Sequence, residues 1–401
     1  MIPLEEALRI VLERCPRLPT DEVSLYQAPG AVLAEEIRSD RDYPPFTRSA
    51  MDGFAVRASD TKNPPRTLSV VEEIRAGRTP ERSVGAGEAS SIMTGAPLPE
   101  GADAVIPVEQ TEPQGDRSVV LQAQAEPGQH ICLQGEDMSE GAVAIEMGTR
   151  IRPEEIAVLA ALGHDRPKIY RKPSVAILST GDELVDAGAE PAAGQIRNSN
   201  GYALWAQSRS MGVPAHLLGI APDRPEAIEE KIREALQDDL VLISGGVSMG
   251  EYDLVGQALS SLGLEPGFER VAIKPGKPTI FGTIGGKPVF GLPGNPVSGF
   301  VIFHILVRPA IEKMMGVGRP AWDEREAVLE EGNLKPTRRW QFLPAFLRRE
   351  GKGYLVRRVP WKGSGDIFGP SRGNCLLQVP IDSPPLGPGD AVRVIPLQES
   401  L

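Results

Sequence analysis

The chain has 401 residues, and at roughly 100 to 200 residues per domain this calls for two to four domains and excludes a single small module. Its 43 basic and 54 acidic residues leave a formal net charge of −11, which argues against nonspecific binding to nucleic acid or to an anionic membrane surface, both of which need a basic field. Glycine and proline number 43 and 38 without a collagen-like period, so turns and short strands should be abundant. The best apolar run, 297–307, already contains Ser298 and His304 and stops at Arg308, too short to span a bilayer. Glu5, Glu6 and Arg9 interrupt the first apolar stretch, unlike the core of a secretory signal, so a cytoplasmic location is expected. Cys15, Cys132 and Cys375 are far apart and odd in number, which fits free thiols, and with four scattered histidines a zinc centre is not expected.

Leu4, Leu8, Val11 and Cys15 recur at helical spacing behind Pro3, predicting an amphipathic helix over 3–15. From Tyr43 to about Gly141 the pattern shifts to short β-branched runs at 67–71, 104–108 and 118–121, predicting a small all-β unit. The stretch 122–128 reads as a surface loop, and residues 154–162 return to helix behind Pro153, which makes the β unit an insertion. Across 173–315, apolar strands at 175–178, 215–220 and 240–243 alternate with helices at 199–211, 225–236 and 253–262 and a long helix after Pro296. That alternation predicts a parallel sheet wrapped by helices, with ligands at the carboxyl ends of its strands. Beyond Pro320, strand-like runs at 340–348, 354–359, 376–379 and 391–395 predict a terminal β barrel of about 80 residues.

The candidate chemistry lies in the connecting loops. Ser179-Thr180-Gly181-Asp182-Glu183-Leu184 places hydroxyls, a glycine and two carboxylates after a strand, suited to a hard cation or a substrate donor, or simply to a capped turn. Gly245 and Gly246 let backbone amides approach an anion in the run from Ser244 through Ser248 to Asp253, although the spacing matches neither a dinucleotide fingerprint nor a Walker loop. Lys274 and Lys277, on a proline-stiffened loop, make a local positive patch in an acidic protein that suits an oxyanion or phosphate. The run Pro293-Gly294-Asn295-Pro296 then opens the long helix, with Asn295 as its cap and amides that could cradle another anion. In the β unit, 44–55, 93–99 and 135–138 combine polar groups with rigid turns.

Each motif is ambiguous alone, but their order is not. FTRSAMDGFAVR, MTGAPLPEGADAVIPVEQ, GEDM, STGDEL, SGGVSMGEYD, IKPGKP and GLPGNPVS together resemble the molybdopterin molybdenumtransferase (molybdenum insertase) family, related to the C-terminal domain of gephyrin, over nearly the whole chain. The resemblance implies a multidomain α/β plus β architecture of four subdomains: a helical part (1–44 and 138–168), an inserted β subdomain (45–137), a three-layer α/β molybdopterin-binding domain (169–320) and a C-terminal β barrel (321–401). It also implies a homodimer, adenylylated molybdopterin and molybdate or tungstate as substrates, release of AMP, Mg2+, and partners that deliver the pterin or receive the finished cofactor. Glu183, Asp253, Lys274 and Lys277 are the implied catalytic residues, with Asp182, Glu183 and Asp253 as metal ligands. Asp52, Thr94, Asp137, Thr180, Gly181, Asp223, Gly245, Gly246, Ser248, Pro293, Gly294, Asn295, Pro296 and Ser371 are implied to bind substrate.

One departure stands out. Where the family commonly has arginine just before the GED motif, this chain has Cys132-Leu133-Gln134, which supplies no fixed cation; either a neighbouring basic residue such as Arg48 compensates, or the enzyme binds oxyanion weakly and works at high metal supply. A molybdopterin adenylyltransferase is the nearest alternative, disfavoured by the GGVSMG loop and by the flanking domains; a non-catalytic pterin-binding scaffold is another.

Overall fold

The protein is described by a computed structural model covering residues 1–115, 117–247, 254–318 and 322–397. The chain divides into two compact units, one comprising Met1–Ala34, Gly148–Arg152 and Lys168–Leu401, the other Glu35–Met147 and Pro153–Pro167. The first helix, α1 (Leu4–Arg14), belongs to the larger unit and buries Leu4, Ala7 and Val11, while Arg9 and Glu13 pair on its solvent face across one turn.

The smaller unit is built on six strands: β1 (Gly53–Val56), β2 (Arg66–Ile74), β3 (Glu88–Ile92), β4 (Ala104–Pro107), β5 (Thr111–Pro113) and β6 (Ser118–Leu121). They form one sheet in the order β4-β1-β3-β2-β6-β5, antiparallel except for the β2–β3 pair. The turn expected at 44–55 thus ends in strand: Gly53 opens β1, where a Cβ would lie 2.0 Å from the Ile106 carbonyl oxygen, so only glycine allows this approach to β4. The stretch after β6 is not wholly a surface loop, since Ala125 is buried and its N–H donates to Thr61 Oγ1 at 2.9 Å. Helix α2 (Pro153–Ala161) completes this unit, with Glu154 and Glu155 in its first turn.

In the larger unit the alternating pattern yields β7 (Val175–Thr180), α3 (Ser199–Ser210), β8 (Ala215–Ala221), α4 (Pro225–Ala235), β9 (Leu240–Ser244), α5 (Leu254–Ser261), β10 (Glu265–Arg270), β11 (Pro278–Ile284) and β12 (Lys287–Leu292). The sheet order is β8-β7-β9-β12-β11-β10. It is parallel from β8 to β12 but antiparallel across β12–β11–β10, so the expected parallel sheet is a mixed one. Alternate residues of β7 and β9 enter different cores: Ile177 and Leu242 pack with Phe290 on one face, Ala176, Leu178, Val241 and Ile243 with Val289 on the other. Burial on both faces is why these strands read as continuous apolar runs.

The single long helix expected after Pro296 is three pieces: α6 (Pro296–Ile302), a π-helical turn over Phe303–Val307, and α7 (Arg308–Met314). Pro309 has no N–H for the Ile305 carbonyl four residues back, and Trp322 Nε1–H donates to that oxygen at 3.0 Å. The C-terminal strands β13 (Arg325–Leu329), β14 (Trp340–Glu350), β15 (Gly353–Arg358), β16 (Cys375–Val379) and β17 (Ala391–Pro396) close into a barrel in the order β14-β15-β13-β17-β16 and back to β14. A two-residue strand, Ile273–Lys274, joins β14 in parallel at Trp340 and Gln341, which ties the lysine loop to the barrel.

Candidate functional site

The loop between β12 and α6 is the hub of the larger unit's cavities. On one side, Gly294 and Pro296 line a small cleft with Thr180, Glu183, Asn198, Asn200, Ser244 and Gly245 at the carboxyl ends of β7 and β9, where an α/β sheet of this kind receives ligands. Asn198 caps α3 by accepting the Gly201 N–H, and Asn200 Nδ2 donates to Ser244 Oγ at 3.0 Å and to the Gly294 carbonyl at 2.8 Å. Thr180 Oγ1 is buried here without a hydrogen-bond partner. Gly245 and Gly246 pass beside it with φ of 98° and 64°, and a Cβ on either would fall 2.4 Å from the Thr180 carbonyl oxygen or 2.8 Å from its hydroxyl. Glycine is required at both positions, and an orphaned hydroxyl at the wall of a cleft, next to bare backbone, is what a site for a polar ligand leaves unpaired.

Asp182 and Asp223 sit at the adjacent strand ends and lock one another: Asp182 Oδ1 accepts the Asp223 N–H at 3.0 Å, and Asp223 Oδ2 accepts the Asp182 N–H at 3.4 Å. The Glu183 carboxylate folds back over Gly181, whose φ is 146°. Ser248 and Asp253, two expected site residues, lie outside the described residues. Among the described residues no three or more His, Cys, Asp or Glu side chains are grouped to hold a metal.

On the other side of the hub, Pro293, Asn295 and Ser298 face a cavity of about 550 Å3 between the sheet and the barrel. Lys274 and Lys277 line it, as the sequence suggested, but so do Lys335, Arg339 and Arg358, supplied by the barrel. Five cations therefore surround one cavity, and none of the described residues lining it is acidic. The geometry is fixed from behind: Lys277 accepts the Val271 and Thr279 N–H groups through its carbonyl, and Arg339 Nη1 reaches the Ile273 carbonyl. Buried Gln341 donates to the Lys335 carbonyl at 2.9 Å. Asn295 occupies the N-cap position of α6 as expected, with Pro296 at the first helical position, and its carbonyl accepts the N–H groups of Ser298 and Gly299; its side chain makes no capping bond, and the residue lines the cavity instead.

Sequence reasoning missed the three barrel cations because nothing local ties them to a site: Arg339 and Arg358 each follow another arginine at the edge of an apolar strand, which reads as a solvated strand end. Ser371 lines a third, more apolar cavity of about 250 Å3 with Ser199, Asn200, Pro296 and Phe300, so the barrel does bring this serine to the strand-end loops.

In the smaller unit, Asp52 and Thr94 come together: Asp52 Oδ1 accepts both the Thr94 N–H at 2.6 Å and its hydroxyl at 2.9 Å, and these bonds hold the Asp52 carboxyl below its usual range. Asp137 is exposed and its N–H donates to the Tyr43 carbonyl. Cys132 lies directly opposite Arg48 in a two-residue ladder. Burial and a bond to Glu136 push its thiol upward against the opposing pull of Arg48, and Arg48 Nε is buried without a partner.

Comparison with known proteins covers almost the entire chain. Residues 2–163 match the MoeA N-terminal region (domain I and II), 176–313 the probable molybdopterin binding domain, and 326–397 the MoeA C-terminal region (domain IV). The molybdopterin molybdenumtransferase of Haemophilus influenzae is 35% identical over 405 residues and 100% of both chains; that of Nostoc sp. is 38% identical over 335 residues, 80% of this chain and 76% of the relative. A crystal structure of the molybdopterin biosynthesis moeA protein from Pyrococcus horikoshii OT3 superposes with a TM-score of 0.84 at 32% identity, covering 99% of this chain and 100% of that one. With relatives of this identity matched end to end and the same fold, the chain belongs to the molybdopterin molybdenumtransferase family.

Proposed function

We propose that this enzyme transfers molybdenum from molybdate to the dithiolene of adenylylated molybdopterin, with cleavage of the phosphoanhydride and release of AMP. The observation that carries this reading is the cavity with five cations in a protein of net charge −11, on the same loop that borders the strand-end cleft. Molybdate is a dianion and the adenylylated pterin brings phosphates, so the two repel each other until fixed positive charge offsets both. Lys274 and Lys277, backed by Lys335, Arg339 and Arg358, supply that charge from a fixed scaffold. The Thr180 hydroxyl and the bare backbone at Gly245 and Gly246 suit the phosphate end of the pterin substrate.

Asp182 and Glu183 are read as Mg2+ ligands together with Asp253, which lies outside the described residues; their hard carboxylate oxygens suit an ion held largely by substrate phosphate oxygens and water, which is how Mg2+ is usually bound. Once bound, it would neutralise phosphate charge. Asp52, Thr94 and Asp137 are read as further substrate-binding residues, and the enzyme as a cytoplasmic homodimer that receives the pterin from one partner and passes the cofactor to apo-molybdoenzymes.

The test is incubation of purified protein with adenylylated molybdopterin, Mg2+ and either molybdate or tungstate, following AMP release and activation of an apo-molybdoenzyme. Oxyanion-dependent AMP release with activation is expected, and the two oxyanion arms name the preferred metal. Lys274→Ala and Asp253→Ala should each lower turnover by about a hundredfold or more, the scale of losing one electrostatic group, with unchanged circular dichroism. Tight pterin binding with neither signal would overturn the reading in favour of a scaffold, and mass photometry checks the dimer.

A further inference from the structure

A further cavity, of about 380 Å3, shares Arg358 and Trp361 with the cationic one and is the more open to solvent of the two, so that it is the outer and the cationic cavity the inner. The partition between them is built. Val359, just beyond β15, is buried and its N–H donates to the Pro344 carbonyl at 3.2 Å, which anchors the shared wall to β14. The loop that follows faces both ways: Gly363 and Ser364 line the inner cavity, while Lys362 and Asp366 line the outer. Ser364 is itself pinned, because its carbonyl accepts the Val297 N–H at 3.1 Å. Arg358 Nε in the wall is buried and has no hydrogen-bond partner.

The outer cavity is lined by Arg358, Lys362 and Arg372, the latter two exposed, against one carboxylate, Asp366. Both oxygens of Asp366 are engaged by the loop itself, accepting the Lys362 N–H at 2.9 Å and the Phe368 N–H at 3.2 Å. Arg372 Nη1 holds the rim through the Pro360 carbonyl at 3.3 Å. At about 30 Å3 per water, the space admits a tetrahedral oxyanion together with part of its hydration shell. A dianion approaching a protein of net charge −11 is repelled at long range, so the positive potential of the inner cavity is useful only if it is carried to the surface. Lys362 and Arg372 carry it there.

We propose that the outer cavity is a capture site for tetrahedral dianions, from which the oxyanion substrate passes Arg358 into the inner cavity. The proposal rests on the oxyanion reading of the inner cavity given above. Crystals soaked in tungstate, with the metal located by its anomalous scattering, should show one peak in each cavity, and the same peaks should weaken when sulfate is added in excess. A peak in the inner cavity alone overturns the capture site and leaves the proposed function standing; no peak in either overturns both.

In solution, Lys362→Gln combined with Arg372→Gln should raise the molybdate concentration for half-maximal AMP release about tenfold, the low end of what focused charge contributes, with the plateau rate retained. Lys277→Gln, in the inner cavity, should instead lower the plateau. An unchanged half-saturation in the double variant, or a plateau that falls with it, overturns the proposal, and melting curves of both variants establish that they fold.

Discussion

Four residues report how the protein holds polar groups away from water. Thr180 Oγ1 is buried and unpaired, a state that costs about 1–3 kcal/mol in a folded protein without a ligand. Thr180→Val should therefore leave the melting temperature unchanged or slightly raised while weakening binding of the adenylylated pterin, measured by titration calorimetry; equal binding would show the hydroxyl to be idle. His304 is buried beside Phe300, Phe303 and Arg308, and burial pushes its imidazole down to about 3. The unfolded chain takes up this proton near 6.5 and the native one does not until about 3, so stability on this account is lost as pH falls from 6.5 towards 3. His304→Leu should flatten that limb, reducing the loss between pH 7 and pH 5 by about 2 kcal/mol in denaturant titrations. Burial likewise pushes the Cys15 and Cys375 thiols up to about 12, so both should resist disulfide reagents in the native protein and react after unfolding, leaving the half-buried Cys132 as the first to be modified.

Among the elements, those with an uninterrupted local signal formed where the sequence placed them, and those shaped by a distant partner did not. Helix α1 and the alternation from β7 to α5 needed only periodicity and caps. The hairpin of β11 and β12 was legible in principle: Gly285 and Gly286 both have positive φ, the two-residue turn whose twist suits a hairpin, but the lysine motif just before it drew the reading towards a loop. The π turn before α7 could not be read, because the apolar run continues through it and the indole that serves the Ile305 carbonyl comes from 17 residues further along. Trp322→Phe keeps the aromatic packing against Trp340 and Phe342 while deleting that donor, and should cost about 1–3 kcal/mol, read as a lower denaturant midpoint at constant slope.

At the scale of the whole molecule, the protein is acidic while the cavity between the sheet and the barrel is lined by cations alone among charged groups. Recessed charge of this kind serves a small anion and is inaccessible to a polymer. The protein should pass unretained through a heparin column at physiological salt, and retention would show that the cavity cations form part of an extended basic face. No described helix is long and apolar enough to cross a membrane, as expected from the charged break at Arg308 in the longest apolar run.

Residue type and order by themselves determined the family resemblance, the alternation of strands and helices, the terminal barrel and the lysine loop, because each rests on neighbours in the chain: periodicity, turn chemistry and motif succession. Tertiary structure alone decided that Lys335, Arg339 and Arg358 join Lys274 and Lys277 around one cavity, that Thr180 faces Gly245 and Gly246, and that Ser371 meets the start of α6. These positions lie up to about a hundred residues apart, and the contacts between them arise from sheet register and barrel closure, which long-range pairing sets and no local pattern encodes.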